Sequence, residues 1–258
     1  MATAIFITVR MKSTRLPKKA LLEIEGKTVI EHLIDRLKLS KLADFIVLCT
    51  STNPNDEVLA DVAKKCGIRS FRGSEDDVLD RYLNAAEKYN VDYIISLTGD
   101  CPFTDPEYID KTIEFYRKTN ADFIMCKELP HGAYSYGIKV EALRKVCAIK
   151  DESDTEIWGD YFTKTGIFNV QYLKVDDPDL KHPEIRMTLD YPEDFEFFKE
   201  VFKRLYKKGK VFSLREIMNL LSENKEIIKI NEHCEELYNE RVKKSAQMKI
   251  KKNINLSV

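Results

Sequence analysis

Across its first half the chain alternates short apolar runs with segments of helical period, and few folds accommodate that rhythm. Apolar runs of strand length occupy 5–9, 45–49, 93–97 and 123–126. Between them, 29–39, 56–66, 77–89 and 106–119 carry leucine, isoleucine or alanine at helical spacing. Helix-start chemistry falls between runs and helices. Asn53-Pro54-Asn55-Asp56 and Thr104-Asp105-Pro106-Glu107 each offer a capping side chain followed by proline, which has no N–H to leave unsatisfied. The alternation predicts an α/β fold with a parallel sheet and helices on both faces. Ligands of such sheets gather at the carboxyl ends of the strands, where the strand order reverses. The loop after Val9, the turn Thr50-Ser51-Thr52 and the turn Thr98-Gly99-Asp100 are all expected at that edge.

The loop after Val9 is the most cationic of the three. Residues 10–19 hold Arg10, Lys12, Arg15, Lys18 and Lys19, with Ser13 and Thr14 among them and no glycine. Walker-type and dinucleotide-binding loops need glycine so that the backbone can approach phosphates, so neither fits, and a nicotinamide dehydrogenase is disfavoured with them. Side-chain cations would have to carry any phosphate contact. The other reading of the loop is a solvated basic turn.

Composition narrows the partners. The 42 basic and 43 acidic residues nearly cancel, which leaves no global positive field to hold nucleic acid. No apolar stretch reaches the roughly 20 residues that span a bilayer. Six cysteines without a C-x-x-C pair, and no signal peptide ahead of the first run, suggest reduced thiols in a soluble cytoplasmic protein.

Two aspartates stand where a cation would be useful. Asp100 follows the apolar run 93–97 and faces the edge that holds the basic loop; Asp190 lies in Met187-Thr188-Leu189-Asp190-Tyr191. Mg²⁺ takes one or two carboxylates and completes its shell with water and phosphate oxygens. The alternatives are a turn aspartate at 100 and a helix cap at Asp190 or Asp194. Arg72-Gly73-Ser74-Glu75-Asp76-Asp77 leads into a helix on which Asp80 and Arg81 lie one turn in. Arg81 is placed to reach toward phosphates, and Asp80 to pair with an arginine or accept from a ribose. From about 129 the rhythm breaks into shorter aromatic pieces, which suit an acceptor pocket or a dimer face. The four histidines show no zinc spacing.

These segments resemble the sugar nucleotidyltransferases of the cytidylyltransferase group, which includes the CMP-Kdo synthetases and the spore-coat polysaccharide protein F family. The resemblance rests on Arg10-x-x-Ser13-Thr14-Arg15-Leu16-Pro17-x-Lys19-x-Leu21, Gly26-Lys27, the stretch 72–82, Gly99-Asp100-x-Pro102 and Thr188-x-Asp190-Tyr191-Pro192-Glu193-Asp194, and it spans about 1–205. Two departures are visible: Lys18 stands where the family usually has glycine, and 154–162 replaces a Glu-His-Val-Thr type segment. The resemblance implies a Rossmann-like three-layer αβα sandwich with a mixed, mostly parallel sheet. It also implies transfer of CMP from CTP to a sugar, sugar acid or small phosphorylated acceptor in surface glycan synthesis, with release of pyrophosphate. A guanylyl- or other nucleotidyltransferase, or a nucleotide-binding subunit without turnover, are the alternatives.

By matching positions, Arg10, Arg15, Lys19, Asp100 and Asp190 are expected to be catalytic, with Asp100 and Asp190 holding Mg²⁺. Val9, Ser13, Thr14, Thr50, Ser74, Asp80, Arg81, Thr98 and Gly99 are expected to complete the nucleotide site. His131, Tyr134, Tyr136, Glu156 and Trp158 are expected to line the acceptor site. Expected organisation is one domain over 1–242, with the nucleotide-binding part at 1–128, an acceptor or dimer insertion at 129–185, a closing segment at 186–242 and a basic mobile tail from 243. A homodimer is expected by family analogy.

Overall fold

The computed structural model describes residues 1–245 and 248–251. In chain order its strands are β1 (Thr3–Thr8), β2 (Glu23–Ile24), β3 (Lys27–Thr28), β4 (Phe45–Ser51), β5 (Arg69–Gly73), β6 (Tyr93–Thr98), β7 (Phe123–Met125), β8 (Tyr136–Lys139) and β9 (Val170–Tyr172). The helices are α1 (Val29–Leu37), α2 (Glu57–Lys65), α3 (Val78–Tyr89), α4 (Pro106–Thr119), α5 (Val140–Ile149), α6 (Gly159–Thr163), α7 (Pro192–Leu205), α8 (Leu214–Glu223), α9 (Lys225–Ile228) and α10 (Cys234–Ser245).

The main sheet runs β5-β4-β1-β6-β8-β7-β9. The pairs β5–β4, β4–β1, β1–β6 and β7–β9 are parallel, whereas β8 is antiparallel to both neighbours. The sheet is therefore mixed and mostly parallel, as expected. The apolar runs read as continuous because the central strands are covered on both faces. Ile5 and Ile7 of β1 pack with Leu33, Ile34, Ile109 and Ile113 of α1 and α4. Ala4 and Phe6 pack on the other face with Leu79, Tyr82, Leu143 and Val146 of α3 and α5. A third apolar body joins Phe103 to Phe197, Phe198 and Val201 of α7 and to Leu214 and Ile217 of α8.

Local chemistry fixes the entries to the helices. A hairpin turning at Glu25 (φ 49°) and Gly26 (φ 75°) delivers Thr28 as the cap of α1, where Thr28 and Glu31 form a reciprocal capping box. Asp77 caps α3 and Asp105 caps α4.

Two expectations change. The segment 129–185, read as an insertion, supplies β8 and β9 to the main sheet, with β8 between β6 and β7. Its polar residues and Gly137 hide a strand pattern. The stretch from 243, expected as a mobile tail, is ordered where it is described. Residues 243–245 close α10, and Met248 and Ile250 pack into the core while the backbone pairs through Asp151 N to Lys249 O at 2.8 Å and Lys251 N to Ile149 O at 3.0 Å. Apolar Met248 and Ile250 alternate with Lys249 and Lys251, the period of a one-sided strand. Residues 246–247 and 252–258 lie outside the described residues.

One close approach sets the position of the 186–190 segment. His131 N donates to Ile185 O at 2.8 Å, and Met187 N donates to His131 O at 2.6 Å. Gly132 sits between them at φ +96°, where a Cβ would meet Met187 O at 2.3 Å. Gly132→Ala is accordingly expected to cost about 2–4 kcal/mol from left-handed backbone and overpacking together. Urea unfolding measures it, and an unchanged midpoint would contradict the close-approach argument.

Candidate active site

At the carboxyl edge of the sheet, the chain leaving β1 turns through a short 3₁₀ helix, Lys19–Leu21, that aims Lys19 back toward β6. There the Lys19 ammonium donates to Asp100 Oδ2 at 2.5 Å and to Asp190 Oδ1 at 2.9 Å. Arg15 Nη2 donates to the same Asp190 oxygen at 2.5 Å. The Thr98 hydroxyl donates to the other oxygen of Asp100. Carboxylates delivered by positions 100 and 190 thus converge on one cation from the basic loop. Burial opposes charge on Lys19, but Asp100 and Asp190 outweigh it and hold the ammonium above its ordinary value. Burial likewise works against ionised Asp190, yet Lys19, Arg15 and Arg186 keep that carboxyl well below the usual range. Both groups stay charged at neutral pH.

Behind Asp190 lies a buried scaffold that the sequence did not reveal. Arg186, only 2 % exposed, donates from Nη2 to Asp190 Oδ2 at 3.1 Å. It also donates to both oxygens of Asp194, at 2.9 and 3.0 Å, and to Glu235 Oε2 at 3.0 Å. Asp194, fully buried, also accepts from Asn231 Nδ2 and from the backbone N–H groups of Asp190 and Tyr191. The two readings of this segment therefore separate. Asp194 caps α7 and holds Arg186, while Asp190 keeps Oδ1 turned to the loop cations. Glu235 is shared with His131 Nδ1 at 2.8 Å. Burial would raise the Glu235 carboxyl, but His131 and Arg186 bring it down to about 2.

Two cavities meet at this cluster. One of about 380 Å³ is lined by Val9, Arg10, Ser13, Thr14, Arg15, Lys19, Arg81, Thr98, Gly99 and Asp100. The other, about 540 Å³, is lined by His131, Tyr134, Tyr136, Glu156 and Trp158, and by Tyr238 and Arg241 of α10. Arg15, Lys19, Asp100, Glu156, Trp158 and Arg241 border both. Both sizes suit a small organic ligand. Arg241 donates to Glu156 at 2.6 Å, closing the second cavity from the α10 side.

Some expected residues lie elsewhere. Thr50, Ser74 and Asp80 line neither cavity. Thr50 is fully buried in β4, and the Ser74 hydroxyl accepts from Asp77 N at 3.2 Å. Asp80 lies on α3 beyond the reach of either cavity; its backbone N–H is taken by Asp77 Oδ1. Arg81 borders the first cavity, but its guanidinium folds the 74–75 turn against β1. It donates to Ser74 O at 2.5 Å, Glu75 O at 3.2 Å and Thr8 Oγ1 at 2.8 Å. Arg10 donates to Glu75 O at 2.6 Å and to Asp76 Oδ1 at 3.1 Å.

The donor set at 100 and 190 is all oxygen, and both carboxylates already share a single cation, the Lys19 ammonium. Oxygen donors are the ligand type Mg²⁺ takes, so the two carboxylates fit it in donor type. Away from both cavities, Glu193, His233 and Cys234 bring ligand atoms within 4.8 Å of one another, a grouping that sequence spacing concealed.

Lys18 explains itself in the backbone. Its φ of 56° and ψ of 27° are left-handed, a conformation that favours glycine. The side chain is exposed. Left-handed lysine costs about 1–2 kcal/mol, against about 0.5–1 kcal/mol for glycine's greater unfolded freedom. Lys18→Gly is therefore expected to raise stability by up to about 1.5 kcal/mol. A lower urea midpoint for this variant would contradict the strain assignment.

Known proteins match this chain over most of its length. The family model described as cytidylyltransferase matches residues 4–227. An uncharacterized protein of Methanocaldococcus jannaschii is 34% identical over 227 residues, covering 87% of this chain and 92% of that protein. The spore coat polysaccharide biosynthesis protein SpsF of Bacillus subtilis is 31% identical over 225 residues, covering 84% and 93%. The structure of a cytidylyltransferase from Leptospira borgpetersenii superposes with a TM-score of 0.80 at 29% identity, over 88% of this chain and 97% of that one. With a match along nearly its whole folded length, and with the acidic pair and cationic loop on one sheet edge, this chain belongs to the cytidylyltransferase family and is a nucleotidyltransferase.

Proposed function

We propose that the enzyme transfers CMP from CTP to an oxygen of a sugar, sugar acid or small phosphorylated acceptor, in surface glycan synthesis and with Mg²⁺ as cofactor. The observation that carries this reading is the junction itself: Lys19 ties Asp100 to Asp190 where the two cavities meet. The acceptor oxygen forms a bond to the α-phosphorus of CTP, the bond from that phosphorus to the bridging oxygen breaks, and pyrophosphate leaves. Such a reaction needs positioning and charge neutralisation more than a covalent nucleophile.

Each residue has a task in this reading. Arg15 and Lys19 bind the triphosphate and meet its developing charge. Asp100, oriented by the Thr98 hydroxyl, and Asp190, held from behind by Arg186, present oxygens to the cation. Mg²⁺ bound there supplies further charge neutralisation on the phosphates. Tyr134, Tyr136 and Trp158 give the acceptor cavity apolar walls that limit water, and Glu156 with Arg241 offers polar contact to acceptor hydroxyls or carboxylates. All six cysteines are free thiols, which suits a cytoplasmic enzyme, and no described helix is long and apolar enough to cross a membrane. A homodimer follows by family analogy.

Pyrophosphate release with CTP and Mg²⁺, against a panel of sugar acids, sugar phosphates and small phosphorylated acids, tests the reading. Asp100→Asn and Asp190→Asn are each expected to lower the rate on the order of 10²–10³-fold while the protein stays folded. CTP is expected to stabilise more than GTP, UTP or ATP, and at 100 times its own Kd a ligand stabilises by ~2.7 kcal/mol. Near-normal turnover of both variants would remove the cation assignment. CTP binding without pyrophosphate release across the panel would remove the transferase reading in favour of a nucleotide-binding subunit.

A further inference from the structure

Between α1, α7 and the turn before α8 lies a cavity of about 280 Å³, separate from the two at the catalytic edge. Its floor is Arg36, which is 2 % exposed. The guanidinium donates through Nε to Pro102 O at 3.1 Å and lies over the rings of Phe103 and Phe212, at 5.6 and 5.1 Å. Beyond that one carbonyl it has no hydrogen-bond acceptor and no carboxylate within ion-pair distance among the described residues. Nη1 is buried without a partner. The acids nearest in charge, Asp105 and Glu216, are spent on the caps of α4 and α8.

A buried arginine with one neutral acceptor is an uncompensated charge. Leaving such a group unpaired is among the costlier arrangements in a fold, and buried donors ordinarily find partners. The other buried arginines are better held: Arg186 pairs with three carboxylates, and Arg81 donates to two carbonyls and a hydroxyl, although its Nε is also without a partner. The surroundings of Arg36 add positive charge. Lys27 and Lys210 stand at the same cavity, with Lys27 paired to Asp35 at 2.5 Å and Lys210 exposed on a turn made at Gly209. His32 and Tyr206 complete the wall.

We propose that this cavity is an anion site for a phosphate group, free or carried by a small molecule, with the Arg36 guanidinium as its donor and Lys210 as a rim cation. Planar guanidinium donors match the spacing of phosphate oxygens. Three cations against one aspartate favour a doubly charged oxyanion. The aromatic walls formed by Phe212 and Tyr206 suit an organic substituent on that phosphate. The site is independent of the catalytic reading, since no residue of it lines the other two cavities.

Calorimetric titration with inorganic phosphate and with phenyl phosphate at fixed ionic strength, joined to phosphate soaks of crystals grown without it, tests the proposal. Arg15 and Lys19 are intact in every protein compared, so phosphate bound at the catalytic edge is a constant background. Density for phosphate within hydrogen-bond distance of the Arg36 Nη atoms is expected. Lys210→Ala is expected to weaken binding about threefold, and Arg36→Gln more than tenfold. Tighter binding of phenyl phosphate would assign the site to phosphorylated small molecules, and tighter inorganic phosphate to the free ion. Water alone on the guanidinium at saturating phosphate, or an unchanged affinity in Lys210→Ala, would overturn the proposal. Because Lys210 is exposed, its variant and the soak remain decisive if Arg36→Gln fails to fold.

Discussion

A single ammonium group that draws two carboxylates to within 3 Å is the interaction on which this edge of the sheet depends. Asp100 arrives on the turn that ends β6, Asp190 on the segment before α7, and Lys19 on the turn after β1. Two like charges so close would repel, and burial would raise the cost. The arrangement persists because Lys19, Arg15 and Arg186 surround Asp190 with positive charge. Removing any one of these cations would leave a buried carboxylate short of compensation. The same electrostatic balance is what a divalent cation and a triphosphate would inherit, with positive charge already placed on both sides of the acidic pair.

The scaffold behind Asp190 makes that geometry rigid. Arg186 is locked by Asp194 and Glu235, Asp194 is locked by Asn231 and two backbone N–H groups, and Gly132 lets the 131–132 turn press against the 187 backbone. Each partner is itself held, which is how a site keeps its position without spending loop flexibility. The α10 helix participates through Glu235, Tyr238 and Arg241. The larger cavity therefore joins the basic loop and the end of β6 to the middle of the chain and to α10, and Arg241 carries α10 to the rim of the smaller one as well.

What could be read in the sequence follows from which forces are local. Strand runs such as 5–9 and 93–97 announce themselves because both faces are buried, and caps at Asp77 and Asp105 act within three residues. The loop cations and Asp100 were legible for the same reason. By contrast, β5 has little apolar residue beyond Phe71, and β8 is interrupted by Gly137, so neither carries a periodic signal. Arg186 lies four residues before Asp190, a spacing that hints at pairing, but its links to Glu235 and Asn231 exist only once the chain folds back. Asp80, Ser74 and Thr50 read as site residues from their neighbours in sequence, but Asp80 lies on α3 away from both cavities, Thr50 is buried in β4, and the Ser74 hydroxyl accepts from Asp77 N in the turn before α3. Lys18 reads as one more cation until its backbone angle shows why glycine belongs there.

The most direct test of the central claim is a crystal structure with CTP and Mn²⁺, using the anomalous signal of the metal. A manganese bound by oxygens of Asp100 and Asp190, with the triphosphate against Arg15 and Lys19, is the predicted result. A metal bound elsewhere, or a triphosphate lying away from residues 10–19, would contradict the account.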